Sequence, residues 1–292
     1  VIKGISGIRG IVNQGFDSHL VTAYAHVFSE LQNSGKLLIA RDARSHGEKF
    51  LTDIANILSA NNRVFHNYDI IPTPTAQFLI HHENYCGGIV ITASHNPKLW
   101  NGFKYKSGDG GSASDDVTNA ISENSKLYEA SSDIPFLGLD HASKKGLLES
   151  VSMEDPYLAH ISTLLDINNV RNSDLKVIVD PMHGAGGGFF PKLVGNGKTT
   201  IHEIRGEQNP AFPGMHNPEP VAHNLEQLRQ TIVEEKADVG LAMDGDADRV
   251  GLVDENGRFI TTLQVYALLA YYLLEIRGLR GPLIKSITVG NM

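Results

Sequence analysis

The chain has 292 residues, more than one ordinary hydrophobic core holds, and its 41% apolar and 20% charged residues are typical of a globular protein. Its net charge of −8 argues against a nucleic-acid-binding protein, which needs a basic face, although a few local cations could still bind an anion. The sequence contains no run of about 18 uncharged apolar residues, so we predict no membrane span. The single cysteine, Cys86, cannot form an internal disulfide, so nothing requires an oxidising compartment and we expect a cytoplasmic protein.

Short apolar runs that suit β-strands alternate with longer amphipathic runs along most of the chain. This alternation is typical of an α/β fold, and strands that are apolar throughout indicate a sheet covered by helices on both faces. We therefore predict successive three-layer α/β/α domains with mixed, mostly parallel sheets. The predicted strands are 36–40, 63–68, 88–92, 176–180, 199–204, 238–243, 249–254 and 283–289. The predicted helices are 18–33, 47–59, 75–82, 114–128, 155–167, 186–194, 221–235 and 263–277.

Two places in the sequence indicate domain boundaries. The run 131–152 has little periodicity and is followed by Pro156, which is tolerated in the first turn of a helix. The segment 255–258 has the composition of a turn that ends a strand. After this turn the sequence predicts one helix (263–277) and one strand (283–289), a pair that buries too little surface to be a domain. We expect this pair to pack on the second domain or to belong to a longer protein. The predicted domains are 1–150, 151–257 and the beginning of a third, incomplete one, 258–292.

The segment 87–106 contains an apolar strand that ends in small and polar residues, followed by a second short strand that carries Lys104. Loops at the carboxyl ends of strands are common ligand-binding positions in α/β sheets. The hydroxyl of Ser94 could carry a transferable group between two half-reactions, with His95 and Lys104 as proton carriers or cations. The serine by itself favours a plainer interpretation, in which Ser94 and Asn96 bond to the backbone of an Asn-Pro turn.

Asp244, Asp246 and Asp248 occupy alternate positions just after an apolar strand. On an ideal strand, such neighbours would lie about 7 Å apart, too far to share one ion, but Gly245 could let the backbone curl. Because three clustered carboxylates repel each other without a cation, we predict an Mg²⁺ site that leaves room for a phosphate ligand.

Two other interpretations of this loop fit less well. An EF-hand would place Glu255 at its twelfth position but Arg249 at its sixth, where the loop requires glycine, and the flanking segments suit strands instead of helices. Phosphatases and mutases of the haloacid dehalogenase type also have Asp-x-Asp after an apolar strand. That motif normally opens its domain, whereas this one comes late in the predicted second domain.

Two segments resemble signatures of the α-D-phosphohexomutases. The first is Thr-Ala-Ser-His-Asn-Pro at 92–97 with Asn-Gly-Phe-Lys at 101–104, and the second is Asp-Gly-Asp-Ala-Asp-Arg at 244–249. The resemblance implies that Ser94 is carried as phosphoserine and that Arg249 lies in the active site. It also implies that Mg²⁺ is bound by the phosphorylated Ser94, Asp244, Asp246 and Asp248.

Two shorter motifs with arginine add to the resemblance. Gly7-Ile8-Arg9-Gly10 is similar to an N-terminal element whose arginine lies near the phosphoserine, and the planar guanidinium of Arg9 suits bidentate phosphate binding. The segment 41–45 is similar to a strand-end Arg-Asp-x-Arg-x-Ser. We interpret it as an active-site element, as an ion-paired turn in which Ser45 caps a helix, or as both.

Two loops of the second predicted domain are interpreted as structural. The segment 180–188 could be taken for a phosphate-binding loop at a helix N-terminus, but in the resembling family this turn is mainly structural. The segment 209–225 is rich in proline, which indicates an ordered, extended linker without a catalytic residue.

The resemblance implies reversible phosphoryl transfer between Ser94 and a hexose 1- or 6-phosphate, with a hexose 1,6-bisphosphate as intermediate and activator. A small sugar phosphate is thus the expected partner, and no oligomeric state is predicted. We favour the phosphomannomutase/phosphoglucomutase type; the alternatives are a phosphoglucosamine mutase, a sugar phosphatase and a non-catalytic sugar-phosphate-binding module. Family members carry further domains that bind the sugar, so we expect these 292 residues to be an incomplete enzyme. The residues assigned to catalysis are Ser94, His95, Lys104 and Arg9, and those assigned to phosphate binding are Arg249, Asn96 and Arg41.

Overall fold

The computed structural model describes residues 1–4, 7–129, 134–150 and 154–285. Within these residues the chain forms two mixed β-sheets that pack against helices, which confirms the predicted α/β architecture. None of the helices in this part of the chain is long and apolar enough to cross a membrane.

The first sheet has seven strands, in the order β1-β2-β6-β5-β3-β4-β7. Parallel pairing joins β5, β3, β4 and β7, whereas β1, β2, β6 and β5 pair antiparallel. The strands are β1 (Ile2–Gly4), β2 (Gly7–Ile11), β3 (Leu37–Arg41), β4 (Phe65–Ile70), β5 (Gly87–Ile91), β6 (Trp100–Ser107) and β7 (Leu148–Ser150).

Helices cover both faces of this sheet. In β3, Leu37 and Ile39 pack into the cluster that contains α1, α2 and part of α4, while Leu38 and Ala40 pack against α3 on the opposite face. All four side chains are fully buried, which confirms that the sheet lies between helix layers. The helices of this part of the chain are α1 (Ser18–Leu31), α2 (Gly47–Ala60), α3 (Thr73–His82), α4 (Asp115–Glu129) and α5 (Leu139–Lys144).

The second sheet has five strands, in the order β12-β11-β10-β8-β9. Its core contains Leu228 and Ile232 of α9 against Ile178 of β8 and Ala242 of β10. The strands are β8 (Lys176–Asp180), β9 (Thr200–Glu203), β10 (Val239–Met243), β11 (Val250–Asp254) and β12 (Phe259–Ile260). The helices are α6 (Glu154–Leu164), α7 (Ile167–Asn172), α8 (Phe189–Val194), α9 (Glu226–Glu235) and α10 (Thr262–Tyr271).

The same strand arrangement occurs in both sheets. The order β4-β3-β5-β6-β2 of the first sheet recurs as β9-β8-β10-β11-β12 in the second, with the same pattern of parallel and antiparallel pairs. Parallel and antiparallel pairs are equally frequent in the described residues, five of each, so the sheets are mixed without being mostly parallel. The residues that follow β5 and β10 therefore occupy equivalent positions at the carboxyl edges of two similar sheets.

Several predicted elements differ from the structure. The strand predicted over 63–68 begins two residues later, at Phe65. The segment 131–152, which has little periodicity and for which no helix or strand was predicted, contains α5 and β7 in its described part, and β7 pairs in parallel with β4. These elements are too short to produce a recognisable period. The helix predicted over 221–235 is a 3₁₀ turn (Ala222–Asn224) followed by α9. Most of the strand predicted over 283–289 lies outside the described residues.

The helix α10 has no buried side chain. It begins at a capping box, in which Thr261 and Gln264 each bond to the backbone of the other, and it continues into a π-helical turn (Tyr272–Ile276). Apolar side chains on it are exposed to solvent, among them Leu268 at 57%. An apolar helix of this kind ordinarily packs against a further element.

Candidate active site

Ser94 lies in the serine loop (residues 92–100), which follows β5 and includes the first residue of β6. Its φ of 52° is a left-handed conformation that residues other than glycine rarely adopt. The hydroxyl of Thr92 accepts a hydrogen bond from the Ser94 N–H (2.8 Å), which stabilises this turn. The Ser94 side chain is buried, and its Oγ donates a hydrogen bond to Oδ2 of Asp244 (2.7 Å). The serine hydroxyl of the first sheet thus contacts a carboxylate of the second.

Asp244 begins the aspartate loop (residues 244–249), which connects β10 to β11. Its Oδ1 accepts hydrogen bonds from the backbone N–H groups of Asp248 (3.0 Å) and Arg249 (3.1 Å), and these bonds close the loop on itself. The prediction that Gly245 makes the curl is wrong, because the residue with a left-handed backbone is Ala247, with a φ of 56°. The curl brings side chains together that would be far apart on an extended strand.

The three aspartates of this loop can share one cation. Each offers a carboxylate oxygen, and these oxygens lie within 4.8 Å of one another. Asp244 and Asp246 are fully buried, whereas the Asp248 side chain is 31% exposed. Oδ1 of Asp246 is buried without a hydrogen-bond partner in the described residues, which is costly for a carboxylate. Hard divalent cations prefer carboxylate oxygens as ligands, so the residues present fit such an ion.

The first sheet and the helix α3 that covers it each supply one donor to Oδ2, the second carboxylate oxygen of Asp246. Oδ2 accepts hydrogen bonds from Nζ of Lys104 in β6 (2.6 Å) and from the hydroxyl of Thr73 at the start of α3 (2.7 Å). The Lys104 ammonium also lies 3.2 Å from Oδ2 of Asp248. The backbone N–H of Thr73 donates to the Asp246 carbonyl (2.9 Å) as well. These contacts hold the aspartate loop against the edge of the first sheet.

The charged groups of the cluster influence each other's pKa values. Burial, together with the negative charges of Asp246 and Asp248, raises the pKa of Asp244 well above its usual value. Burial alone would raise the pKa of Asp246 too, but the Lys104 ammonium outweighs it and lowers that pKa to about 2. Burial alone would lower the pKa of Lys104, and the two carboxylates reverse this effect and raise it. Lys104 is therefore an ammonium group at neutral pH.

Further predicted site residues lie on the serine loop, contact it, or belong to the aspartate loop. Nδ1 of His95 lies 3.4 Å from the Ser94 Oγ, and burial followed by the charge of Arg249 lowers the pKa of His95, which is neutral at pH 7. Asn96 accepts a hydrogen bond from the guanidinium of Arg9 (2.9 Å). Arg249 is half exposed; it pairs with Glu219 (3.1 Å), and its Nε lies 4.0 Å from Oδ1 of Asp248.

The segment 41–45 contains two arginines in different environments. Arg41 pairs with Asp69 (2.6 Å), and no hydrogen bond or ion pair joins its side chain to the serine loop among the described residues. Arg44 is fully buried and binds the serine loop, so the structure brings Arg44 to Ser94 and leaves Arg41 outside. The prediction that Ser45 caps α2 is wrong, because the residue at the cap position is His46, which makes no side-chain cap bond. A phosphate-binding role for Arg41 stays a prediction.

The two regions that carry the serine loop and the aspartate loop each match the model of a known protein family. Residues 1–131 match the model of "Phosphoglucomutase/phosphomannomutase, alpha/beta/alpha domain I", and residues 155–257 match that of "Phosphoglucomutase/phosphomannomutase, alpha/beta/alpha domain II". The chain belongs to the α-D-phosphohexomutase family. The serine loop lies in the first matched region and the aspartate loop in the second, so the contact between Ser94 and Asp244 joins two family domains.

Individual phosphohexomutases resemble the chain over nearly its whole length. A phosphoglucomutase/phosphomannomutase of Thermococcus kodakarensis is 32% identical over 300 residues, which cover 99% of this chain and 62% of the relative. A phosphoglucosamine/phosphogalactosamine mutase of Sulfurisphaera tokodaii is 30% identical over 271 residues, covering 92% and 58%. A crystal structure described as a phosphomannomutase from Thermus thermophilus superposes with a TM-score of 0.83 at 27% identity, covering 94% and 61%. The chain thus spans 62% and 58% of the length of these two curated relatives.

The proline-rich segment 209–225 of this phosphohexomutase chain contributes to the site, although its sequence indicates only a linker. Nδ2 of Asn217 donates a hydrogen bond to the carbonyl of His95 (2.9 Å). The ring of Phe212 lies 5.2 Å from the guanidinium carbon of Arg44. Glu219 accepts from Asn217 (3.1 Å) and pairs with Arg249. His95, Arg44 and Arg249 are distant from this segment in sequence, so no local pattern could have revealed the contacts with them.

The segment 180–188 supports the aspartate loop from behind, consistent with the structural role predicted for it. The backbone N–H of Ala185 donates to the carbonyl of Gly245 (3.0 Å). A Cβ at Gly184 would come within 2.6 Å of that carbonyl oxygen, so only glycine permits this approach. A Cβ at Gly245 would in turn lie 2.7 Å from the Ser94 carbonyl oxygen. The two loops of the site are therefore packed backbone against backbone.

Proposed function

We propose that the chain carries the phosphoryl-transfer site of an Mg²⁺-dependent phosphohexomutase, which interconverts hexose 1-phosphates and hexose 6-phosphates through a phosphorylated Ser94. The observation that supports this most directly is the 2.7 Å hydrogen bond from Ser94 Oγ to Asp244. It puts a buried hydroxyl next to a cluster of three carboxylates that suits a divalent cation. In a phosphohexomutase this pairing suits a serine that holds and releases a phosphoryl group.

In the proposed reaction, the phosphoryl group moves between Ser94 and a sugar hydroxyl. The sugar oxygen forms a bond to phosphorus, the bond from phosphorus to Ser94 Oγ breaks, and the proton of the sugar hydroxyl ends on Ser94 Oγ. His95 is neutral at pH 7 and lies 3.4 Å from Oγ, so it can accept a proton, while Lys104 can donate one. The hexose 1,6-bisphosphate then reorients so that its other phosphoryl group faces Ser94, and that group returns to Ser94 by the reverse step.

We assign the metal site to Asp244, Asp246 and Asp248, with the phosphate on Ser94 as a further ligand. Bound Mg²⁺ would offset negative charge on the group being transferred. Arg9 contacts the serine loop through Asn96, and Arg249 is half exposed at the end of the aspartate loop; we assign both to the binding of phosphate oxygens.

We further propose the domain division 1–150, 151–257 and 258–292, a cytoplasmic location, and a hexose phosphate as the substrate of the whole protein. A phosphomannomutase or phosphoglucomutase is the first candidate. A phosphoglucosamine mutase is the second, because the relative from Sulfurisphaera tokodaii is a phosphoglucosamine/phosphogalactosamine mutase. Competition among glucose, mannose and glucosamine phosphates for the phosphoryl group on Ser94 would distinguish these candidates.

Phosphorylation of Ser94 is the central test. Incubation of the 292-residue chain with glucose 1,6-bisphosphate and Mg²⁺ should add the mass of one phosphoryl group, measured by intact-protein mass spectrometry. Ser94→Ala should abolish the addition, whereas Ser59→Ala, a change at a buried serine of α2, should not. Loss of the group as inorganic phosphate without a sugar acceptor would favour a phosphatase, and the absence of any addition to the unaltered chain would contradict the proposal.

A further inference from the structure

Arg44 is a buried guanidinium that the proposed reaction does not use. It lies on the turn between β3 and α2, and its side chain has no exposed surface. Its Nε donates a hydrogen bond to Oδ2 of Asp42 (3.1 Å), whose side chain is equally buried. Removing both charges from water costs free energy that their mutual attraction only partly restores. The hydrogen bonds that Arg44 donates to other residues therefore indicate which part of the molecule the buried side chain holds in place.

All the other side-chain hydrogen bonds of Arg44 go to the serine loop. They bind four backbone carbonyls, those of Ser94 (2.5 Å), Asn96 (2.6 Å), Pro97 (2.9 Å) and Trp100 (3.2 Å). Four carbonyls of one loop thus converge on one planar group. The donors of a guanidinium are fixed in a fork, whereas a lysine offers a single point charge. The geometry therefore depends on arginine itself and not only on its charge.

The contact to the Ser94 carbonyl is the shortest of the four, and it lies at the strained residue of the loop. A φ of 52° is unfavourable for serine, so the surrounding contacts must hold it. This backbone conformation directs Oγ towards Asp244. On its other side, the guanidinium lies against the ring of Phe212, which belongs to the second sheet domain. Arg44 is thus held at the junction where the two loops meet.

We infer that Arg44 is a positioning residue for Ser94, holding the serine loop so that Oγ remains directed at the aspartate loop. The inference rests on the proposed role of Ser94 as phosphoryl carrier. When a hexose bisphosphate donates to Ser94, Oγ forms a bond to phosphorus, the bond from phosphorus to the sugar oxygen breaks, and the serine proton ends on that oxygen. Arg44 touches none of these atoms. It fixes the distance and direction of Oγ, to which the rate of such a step is sensitive.

Two alterations of Arg44 test the inference against a matched control. Arg44→Lys keeps the charge and loses the fork, and the double variant Asp42→Asn/Arg44→Met removes the pair without leaving a buried charge. The control is Arg205→Lys, because Arg205 also pairs with a buried aspartate, Asp180, at the end of the equivalent strand β8. No hydrogen bond or ion pair joins the Arg205 side chain to the serine loop among the described residues.

The first measurement is the single-turnover rate of Ser94 phosphorylation by glucose 1,6-bisphosphate with Mg²⁺. Both alterations of Arg44 should lower the maximal rate by about 100-fold or more, with little change in the half-saturating bisphosphate concentration, because binding groups stay in place and only alignment is lost. Arg205→Lys should remain within about threefold of the unaltered chain. Thermal unfolding of every variant separates a loss of stability from a loss of alignment.

The second measurement does not depend on phosphoryl transfer. Trp100 is the only tryptophan of the chain, and its carbonyl binds Arg44, so its fluorescence reports on the serine loop. Quenching of Trp100 by acrylamide should increase about twofold or more in the Arg44 variants and stay unchanged in Arg205→Lys, because only the former release the loop. The inference would be overturned if a folded Arg44→Lys variant had the same phosphorylation rate and the same Trp100 quenching as the Arg205→Lys control. If the unaltered chain accepts no phosphoryl group, the proposed function fails, and the quenching alone decides whether Arg44 holds the loop.

Discussion

The carboxyl groups of Asp244 and Asp246 belong to one buried cluster, yet their pKa values shift in opposite directions. Burial acts on both in the same sense, so the difference comes from their partners. Asp246 has an ammonium and a hydroxyl as donors, whereas Asp244 faces two other carboxylates and has the Ser94 hydroxyl as its side-chain donor. Asp246 is therefore a permanent anion at neutral pH. Its second oxygen, which has no partner in the described residues, is the most favourable ligand the cluster offers.

Asp246→Asn should weaken divalent-cation binding by roughly 100-fold or more, because an amide supplies a neutral oxygen in place of a charged one. Titration calorimetry with Mn²⁺, which also prefers oxygen ligands, measures the change. Glu255→Gln is the matched control. Glu255 would be the bidentate ligand of an EF-hand, but it is exposed on the turn after β11. Equal affinity of Asp246→Asn and the unaltered chain would remove Asp246 as a ligand.

Lys104→Met should have the opposite effect on cation affinity. The Lys104 ammonium lies 2.6 Å from Asp246 and 3.2 Å from Asp248, so it repels a second cation that approaches the same carboxylates. Its removal should raise the affinity for Mn²⁺ by about tenfold, measured by the same calorimetry. Lys106→Met removes an equally buried charge two residues along β6 without breaking an ion pair to the aspartates, and its effect should be smaller. A lower affinity in Lys104→Met would mean that Lys104 assists the cation instead of competing with it.

At the scale of elements, the N-terminus of α3 connects the two sheets. Thr73, its first residue, donates to Asp246 through both its backbone N–H (2.9 Å) and its hydroxyl (2.7 Å). Asp246 belongs to a loop that lies far away in sequence, so α3 connects the first sheet directly to the aspartate loop. The proline at position 72 precedes the helix and fixes the direction in which the chain enters it.

Thr73→Val should lower the free energy of unfolding by about 1–3 kcal/mol, because a buried carboxylate oxygen loses one of its two donors while the side-chain shape is kept. Urea unfolding followed by circular dichroism measures this quantity. Thr75→Val is the matched control, since Thr75 is on the same helix and equally buried, and no contact between its hydroxyl and the aspartate loop occurs among the described residues. Similar losses in both variants would show that the Thr73 hydroxyl has no special role.

The predicted elements that agree with the structure are those with a strong local pattern. The strand over 176–180 is observed with the same bounds, and the helix over 47–59 ends only one residue later than predicted. The short strand β7 and helix α5 were missed because three to six residues show no clear period, and their positions depend on pairing with β4 and packing on α2. Tertiary contacts determined these elements more than local preference did.

The same distinction applies to the candidate site. Ser94 and the three aspartates were predicted because each belongs to a contiguous motif that resembles a family signature, and the three clustered carboxylates also indicate a cation site by themselves. Thr73 and Asn217 were not, since an isolated threonine or asparagine has many possible roles. Arg44 and Arg41 belong to the same motif at 41–45, and the sequence alone does not show which of the two arginines contacts the serine loop. The direction of each side chain follows from the turn between β3 and α2, which is stabilised by a bond from the Arg44 N–H to Asp42 within the turn and by contacts with the serine loop.

At the scale of the molecule, two similar sheets present equivalent loops to each other, and the site exists only where these loops meet. The serine loop follows β5 and the aspartate loop follows β10, which occupy corresponding positions in their sheets. The first loop supplies the hydroxyl and the second the carboxylates, so neither sheet contains the chemistry alone. The relative position of the two sheets is therefore as important for the proposed reaction as any single side chain.

Gly245→Ala tests this dependence with the smallest possible change. An added Cβ would lie 2.7 Å from the carbonyl oxygen of Ser94, too close for a backbone atom that Arg44 already holds, so the two loops must separate. We expect the free energy of unfolding to fall by about 1–3 kcal/mol, as in other overpacked sites, and Ser94 phosphorylation to slow because Oγ moves away from the aspartate loop. Gly281→Ala is the control, because a Cβ there would meet no atom within 4 Å. Unfolding and phosphorylation indistinguishable from this control would contradict the close approach of the two loops, and with it the idea that the site depends on how the sheets are arranged.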